Sequence, residues 1–177
     1  MSLLEMVCEV LKEYKEDENI VYKKCHSPNS LAVLRKCQDS KTSENRSSIV
    51  DKRYAQFRAN KLYVVKIATL PNLEFVESAK SLRQSYFEYN VDEMVEESDF
   101  EEDVEIISGR GLHYFKSITA ALCFGFIPNE IYEYYDGIWY SYNWNGKLMA
   151  IYNLKKGHLF GEQIIFTEDG KKWTYLK

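Results

Sequence analysis

The last third of the chain alternates bulky and polar residues in a pattern that occurs twice. The segment from Gly137 to Lys147 reappears 24 residues later, from Gly161 to Lys171. In each copy a glycine precedes alternating bulky side chains, which lead into an Asn-Gly or Asp-Gly pair and a lysine. These pairs are strong β-hairpin signals, because both turn residues must tolerate positive φ. The pattern predicts a C-terminal ladder of β-hairpins that share one core.

Helical periodicity marks the beginning of the chain. Ser2 and Glu5 form a capping box, in which each side chain binds a backbone N–H of the other residue. Apolar residues then recur at spacings of three and four as far as Tyr14. We therefore predict an amphipathic helix over residues 2–14.

The middle of the chain alternates short apolar runs with polar turns. The polar stretch 38–52 has no large apolar residue before Ile49 and predicts a flexible loop. Residues 1–128 are expected to form one α+β domain, and residues 129–177 the hairpin repeats, packed as one unit. The predicted fold class is α+β, mostly antiparallel β with an N-terminal helix, one internal helix and C-terminal hairpin repeats. The remaining predicted elements are a hairpin over 20–34, strands over 62–70, 86–89 and 112–115, a short helix over 79–84 and a helix that opens within 117–122, with Ser117 or Thr119 as its N-cap.

Composition, net charge and cysteine spacing make several classes of partner and site unexpected. Aromatic residues make up 15% of the 177 residues, and the formal net charge is -4, so a nucleic-acid partner is not expected. No apolar run is long enough to span a bilayer, and we expect no membrane partner. Metal and cofactor sites are not expected either. The cysteines form no CxxC pair and are predicted to be reduced thiols of an intracellular protein; they are Cys8, Cys25, Cys37 and Cys123.

One block of the chain is strongly acidic. Ten carboxylates and no Lys or Arg lie between Arg83 and Arg110, most of them within residues 92–105, here called the acidic block. Two interpretations stay open, namely a solvated loop and a docking surface for a basic protein partner. In the second interpretation the binding residues are Glu96, Glu97, Glu101 and Glu102.

Several segments together resemble a known but uncharacterised domain. They are Tyr22-Lys23-Lys24, the stretch 57–67, the stretch 89–95 and Gly111-Leu112-His113-Tyr114-Phe115. Such a domain occurs in proteins of bacteriophages and large nucleocytoplasmic DNA viruses. This chain departs from the usual pattern at Asp92, where the family usually has Gly, and at Ser108, where it often has Cys. The 137–171 units are similar to degenerate MORN-like repeats of viral proteins, and the resemblance implies a viral protein of the host cytoplasm or the virion.

An enzymatic alternative comes from a second, shorter likeness. The segment Gly109-x-Gly111-Leu-His-Tyr-Phe resembles the Gly-x-Gly-Ile-Tyr-Phe segment of ADP-ribosyltransferase-like folds. That resemblance implies a role for Arg58 on the NAD phosphates and for His113 beside the cofactor, with a late glutamate at the ribose. The glutamates available for it are Glu130, Glu133 and Glu162. The competing interpretation is that the glycines serve a turn and that His113 is a structural strand residue.

The aromatic residues of the repeats give the last candidates. Trp139 and Trp144 could lie on a peptide-binding surface, or instead in the core of the repeats. Taken together, the sequence favours a non-enzymatic protein–protein interaction module of a large DNA virus, a virion component or a host-factor binder. The alternative is an NAD-consuming transferase.

Overall fold

Two antiparallel sheets account for most of the regular secondary structure in the computed structural model, which describes residues 1–81, 87–125 and 135–177. Two α-helices are present in these ranges, α1 (Leu3–Val10) and α2 (Ile118–Leu122), and a single 3₁₀ turn (Lys12–Tyr14) follows α1. The α+β class with mostly antiparallel strands is therefore confirmed. The strands are β1 (Ile20–Ser27), β2 (Ser30–Arg35), β3 (Gln56–Ala59), β4 (Lys61–Thr69), β5 (Ser78–Ser81), β6 (Glu88–Asn90), β7 (Met94–Glu96), β8 (Leu112–Phe115), β9 (Gly137–Tyr142), β10 (Leu148–Lys155), β11 (His158–Leu159), β12 (Glu162–Phe166) and β13 (Lys172–Leu176).

Strand β1 is the centre of the first sheet. The order is β3-β8-β1-β2-β4-β7, and β5 pairs with the far end of β1 and with β6. Successive side chains of a strand point to opposite faces. Here both faces are buried, so every residue from Ile20 to Cys25 is buried. The two helices and Trp139 pack on one face, and the other face forms a second core around Tyr89 and Tyr114.

The N-terminal helix follows its predicted cap. The Ser2 N–H donates to Glu5 Oε2 at 2.7 Å, and the Glu5 N–H donates to Ser2 Oγ at 3.3 Å. Leu3, Val7 and Leu11 then pack into the core below the helix. The regular helix ends at Val10 and a 3₁₀ turn completes the predicted span. Of the two predicted N-cap residues, Ser117 is the one that caps α2, accepting a hydrogen bond from the Ala120 N–H.

Two predictions in the middle of the chain need correction. Residues 79–81 of the predicted short helix belong to strand β5, because they pair with β1 and β6, and residues 82–84 lie outside the described part. The predicted strand 86–89 begins outside it too, and residues 88–89 belong to β6. Segment 38–52 is anchored, since Ser43 is fully buried and hydrogen-bonded to β3. The proposed domain boundary at 128/129 falls in the range 126–134, which is not described.

The second sheet consists of the two predicted hairpins. Strand β10 pairs with β9 on one side and with β12 and β11 on the other, and β13 pairs with β12. The two turns are equivalent, because the Asn143 N–H donates to the Lys147 carbonyl and the Thr167 N–H donates to the Lys171 carbonyl, both at 2.9 Å. Gly146 and Gly170 hold φ values of +83° and +82°. The same sequence pattern has thus produced the same local structure twice.

Only the first hairpin turn docks against the first sheet. The Trp144 carbonyl accepts the Gln56 N–H at 3.1 Å, and the Asn145 carbonyl accepts the N–H groups of Val50 and Asp51 at 2.9 and 3.1 Å. A Cβ added at Gly146 would lie 2.1 Å from the Asp51 carbonyl oxygen. At the equivalent second turn a Cβ would meet no atom within 4 Å.

This difference gives a matched test of the docking. Gly170→Ala should lower the free energy of unfolding by about 1 kcal/mol, because only the positive φ is strained. Gly146→Ala has the same φ strain and also a clash with backbone, and should cost about 3 kcal/mol or more. Urea unfolding of both variants measures the two values. Equal losses would mean that the first turn is not docked.

Candidate functional site

Of the candidate residues, Arg58 has a buried guanidinium group that is hydrogen-bonded on all three nitrogens. It lies on β3, is 1% exposed, and its guanidinium is 5.0 Å from the centre of the Phe100 ring. Its Nε donates to the Ile106 carbonyl at 3.1 Å, and its two terminal nitrogens donate to the carbonyls of Glu101 and Asp103. Burial lowers the pKa of Arg58 from its ordinary value, yet arginine stays charged at neutral pH. The acidic block is therefore wrapped around a buried cation.

The Gly-x-Gly segment makes room for this arrangement. A Cβ at Gly109 would lie 2.7 Å from Glu101 Cγ and 3.0 Å from Arg58 Cζ. At Gly111, where φ is +155°, a Cβ would lie 3.0 Å from Arg58 Cβ and 3.2 Å from the Phe100 ring. Both glycines thus permit the acidic block to approach the arginine closely.

Most carboxylates of the acidic block already have partners within the chain. Glu97, Glu101 and Asp103 each accept the backbone N–H found two residues further along, at 3.0–3.1 Å. Glu102 pairs with Lys41. The other contacts are Asp99 with Arg110 at 3.0 Å and Glu105 with the Ser47 N–H at 2.8 Å. Of the four proposed docking residues, Glu96 is exposed on β7 opposite Lys61.

The residues of the enzymatic alternative do not form one cleft. Arg58 and His113 are cross-strand neighbours on β3 and β8, and His113 Nε2 lies 3.1 Å from the Gly109 carbonyl oxygen. Glu162 begins β12 in the other sheet and pairs with Leu176. The described contacts bring it to neither of the other two residues. Glu130 and Glu133 lie outside the described residues.

The two tryptophans occupy different environments. Trp139 is 6% exposed and packs edge-on against Tyr135, with ring centres 5.6 Å apart. Its assignment to a binding surface is corrected, because a buried ring belongs to the core. Trp144 is exposed, and its carbonyl accepts Arg46 Nη2 at 2.9 Å where the two sheets meet.

Two buried lysines were missed by sequence reasoning. Lys23 and Lys24 point to opposite faces of β1. Lys23 Nζ donates to the His113 carbonyl at 2.9 Å, and Lys24 Nζ donates to the Leu122 and Phe124 carbonyls at 3.0 and 3.1 Å. Burial lowers the pKa of each lysine to about 8. The available signal was a Lys-Lys pair inside an otherwise apolar strand.

A half-buried ionic cluster was missed in the segment predicted to be flexible. Glu44 accepts Lys36 Nζ at 2.9 Å and the Tyr114 hydroxyl at 2.7 Å, and it also pairs with Lys116. Burial raises the pKa of this carboxyl, but the three hydrogen bonds outweigh it, so the pKa lies below its ordinary value. The cluster fixes segment 38–52 to β8 and its flank.

The second hairpin has an apolar face that extends from the core to the surface. Ala150, Ile165 and Trp173 form one cross-strand row, so their side chains share a face of the sheet. Ala150 is buried, Ile165 is 37% exposed and Trp173 is 63% exposed. Tyr175 follows on the same face of β13, with 38% exposure. The row thus runs from the core of the molecule to its surface.

Strand β13 also presents free backbone groups. Gly161 and Lys177 exchange both backbone hydrogen bonds, and in an antiparallel pair such residues alternate along the strand. It follows that the N–H and C=O groups of Lys172, Thr174 and Leu176 point away from β12. No strand of the described residues pairs with this outer edge.

Replacing Arg58 tests its role as an internal anchor. Arg58→Lys keeps the charge but cannot reach the same set of carbonyls, so it should cost about 3 kcal/mol of unfolding free energy or more. Arg110→Lys is the control, because the Arg110–Asp99 pair is exposed and should matter by less than about 0.5 kcal/mol. Chemical unfolding compares the two. A small loss for Arg58→Lys would contradict the assigned role.

The buried lysines predict an unusual pH dependence. Their folded-state pKa of about 8 lies below the ordinary 10.5, so between these values the unfolded chain binds more protons. The free energy of unfolding should therefore rise by about 1 kcal/mol per lysine from about pH 7 to about pH 8.5. Urea unfolding at several pH values measures the slope.

A lysine variant separates this effect from other titrations. Lys23→Met should remove about half of the rise, whereas replacing the exposed Lys52 with Met should leave it unchanged. A flat profile for the unmodified protein would mean that folding does not lower the pKa of these lysines, because the folded and unfolded chains would then bind the same number of protons over this pH range.

In the described residues no cluster of His, Cys, Asp or Glu could hold a metal ion, the four cysteines are free, and no helix is long and apolar enough to cross a membrane.

Comparison with known proteins identifies a family but no function. No curated protein and no solved structure gives a significant match. The profile of the family of unknown function DUF5758 matches residues 10–121, which include Arg58, the acidic block and both buried lysines. The chain belongs to this family of unknown function, DUF5758.

Proposed function

We propose that the protein is a non-enzymatic protein–protein interaction module that binds an extended protein segment along β13. The observation that carries this proposal is the exposed row formed by Ile165 and Trp173, with Tyr175 beside it, next to an unpaired strand edge. Partners that add a strand to a sheet edge bind through main-chain hydrogen bonds and through side chains on one face. Strand β13 offers both kinds of contact.

The chemistry of β13 indicates the kind of segment that it binds. Large aromatic side chains are the usual energetic anchors of interfaces, and Trp173 is among the most exposed of the large apolar side chains. Lys172 and Lys177 flank the aromatic residues, and β13 has no carboxylate. An extended segment that alternates apolar with acidic residues complements this edge in shape and charge.

The other functions predicted from the sequence have less support. A basic partner on the acidic block beyond β7 would meet carboxylates that already bind Lys41, Arg110 or backbone N–H groups. An NAD-consuming activity through Arg58 would need a guanidinium that is buried against backbone carbonyls instead. A large DNA virus as the source, with the protein in the host cytoplasm or the virion, belongs to the proposal and rests on the sequence resemblance alone.

A peptide selection tests the proposal. Peptides of about ten residues that alternate apolar and acidic side chains are displayed as a library, and binders to the whole protein are selected. Thr174→Pro removes an N–H that points away from β12, so it should weaken the best binder about tenfold or more. Trp173→Ser should have an effect of the same size.

The matched control is Ile138→Ser, which removes an exposed apolar side chain on β9, away from the proposed edge. It should change the affinity less than about twofold. Thermal unfolding checks that each variant is folded. Peptides that bind all three variants equally well, or a library that yields no binder, would contradict the proposed function.

A further inference from the structure

The sheet edges of this chain differ in how they are covered. On β3 the outward groups of Gln56 and Arg58 are all bonded: the two N–H groups to the Trp144 carbonyl and Ser43 Oγ, the two carbonyls to Arg46 and the Ser43 N–H. On β9 the Ile138 carbonyl accepts the Tyr135 hydroxyl at 2.8 Å. Of the four outer edges formed by β3, β7, β9 and β13, the edge of β3 is therefore covered by the chain itself, and the edge of β9 has one of its carbonyls bonded.

Strands β7 and β13 are the two uncovered edges of these four. The Glu97 N–H donates to the Asn60 carbonyl and the Val64 N–H donates to the Glu93 carbonyl, so the alternate residues of β7 point away from β4. These residues are Met94 and Glu96, both exposed. No strand of the described residues pairs with them. β7 thus offers four outward backbone groups, and β13 offers six.

The two open edges carry opposite charge. β13 has Lys172 within it and Lys177 directly after it, with no carboxylate. β7 contains Glu96, follows Asp92 and Glu93, and is followed by Glu97, with no cation in this stretch. Lys61 of β4 lies opposite Glu96 and pairs with Asp39, so the acidic residues outnumber the cation beside this edge. Two copies of the same edge would repel each other, whereas one edge of each kind would attract.

We propose that β13 of one copy of this chain adds to β7 of a second copy, which makes the protein self-associate in a head-to-tail manner. The inference rests on the proposed function, because it uses the same β13 edge and names its occupant. Backbone hydrogen bonds join the two strands, Lys172 and Lys177 face the carboxylates around β7, and Trp173 covers apolar surface beside Met94. Each copy keeps one open edge of each kind, so the contact can repeat.

Exchange of charge between the edges tests the proposal. One variant carries Lys172→Glu and Lys177→Glu, and the other carries Glu93→Lys and Glu96→Lys. Each variant alone then presents two edges of the same sign and should remain monomeric. In an equimolar mixture the acidic β7 of the first variant meets the basic β13 of the second, and the two altered edges meet as well. Association should therefore return only in the mixture.

Sedimentation velocity from about 10 μM to about 500 μM is the measurement. The unmodified protein should show a sedimentation coefficient that rises with concentration and falls back toward the monomer as salt is added. Thermal unfolding confirms that both variants are folded. If the variants associate as well as the unmodified protein, or if the mixture stays monomeric, the proposal is wrong.

The outcomes separate this inference from the function on which it rests. A protein that is monomeric throughout, but whose β13 still binds the selected acidic peptides, would overturn self-association and leave the proposed function in place. Failure of both experiments would overturn both proposals. Association that is lost with Thr174→Pro and restored by the mixed charge variants would support both.

Discussion

The burial of one arginine organises the first part of the molecule. A guanidinium removed from water must have nearly all its donors bonded, because each unsatisfied donor costs as much as several ordinary interactions contribute. Arg58 meets this requirement with backbone carbonyls from the acidic block, not with carboxylates. A loop that would otherwise repel itself is thereby fixed against β3. Gly109 and Gly111 are needed for the same reason, since a side chain at either would occupy the space of the arginine or the loop.

The need to hydrogen-bond buried polar groups also explains how the two sheets are joined. Strand β3 is an edge strand, and its outward backbone groups need partners if the edge is to be buried. Segment 38–52 and the first hairpin turn supply them, through Ser43, Arg46 and the Trp144 carbonyl. The docking is specific to this turn because the backbone at Asp51 fills the space beside Gly146. Covering one edge of the first sheet has thus fixed the position of the second.

Local signals were readable from the sequence, and long-range partners were not. The capping box of α1, the hairpin turns with Gly146 and Gly170, and the cap at Ser117 depend on neighbours within a few residues, so the sequence predicts them directly. The short helix predicted over 79–84 was wrong at residues 79–81, because so short a segment carries little periodicity and pairing with β1 and β6 decided its conformation. The contact of the acidic block with Arg58, the Glu44 cluster and the burial of Lys23 could not be predicted, because the partners come from distant parts of the chain.

The two hairpins show how a repeated unit can serve two purposes. Their turns have the same hydrogen bonds and the same positive φ, so the difference between them lies in what each one meets. The first hairpin is covered by the α+β part, and its Trp139 ring has become core. The second hairpin extends the same face beyond that core, where Ile165 and Trp173 are left in contact with water.

Exposure of large apolar side chains beside an unpaired edge is energetically unfavourable in an isolated molecule, and natural sheets generally block such edges. Among the described residues of β13, charge is the feature that opposes pairing with an identical edge, because Lys172 lies within the strand and Lys177 follows it. The same charge does not oppose an acidic strand, which is the physical basis of the partner proposed for this edge.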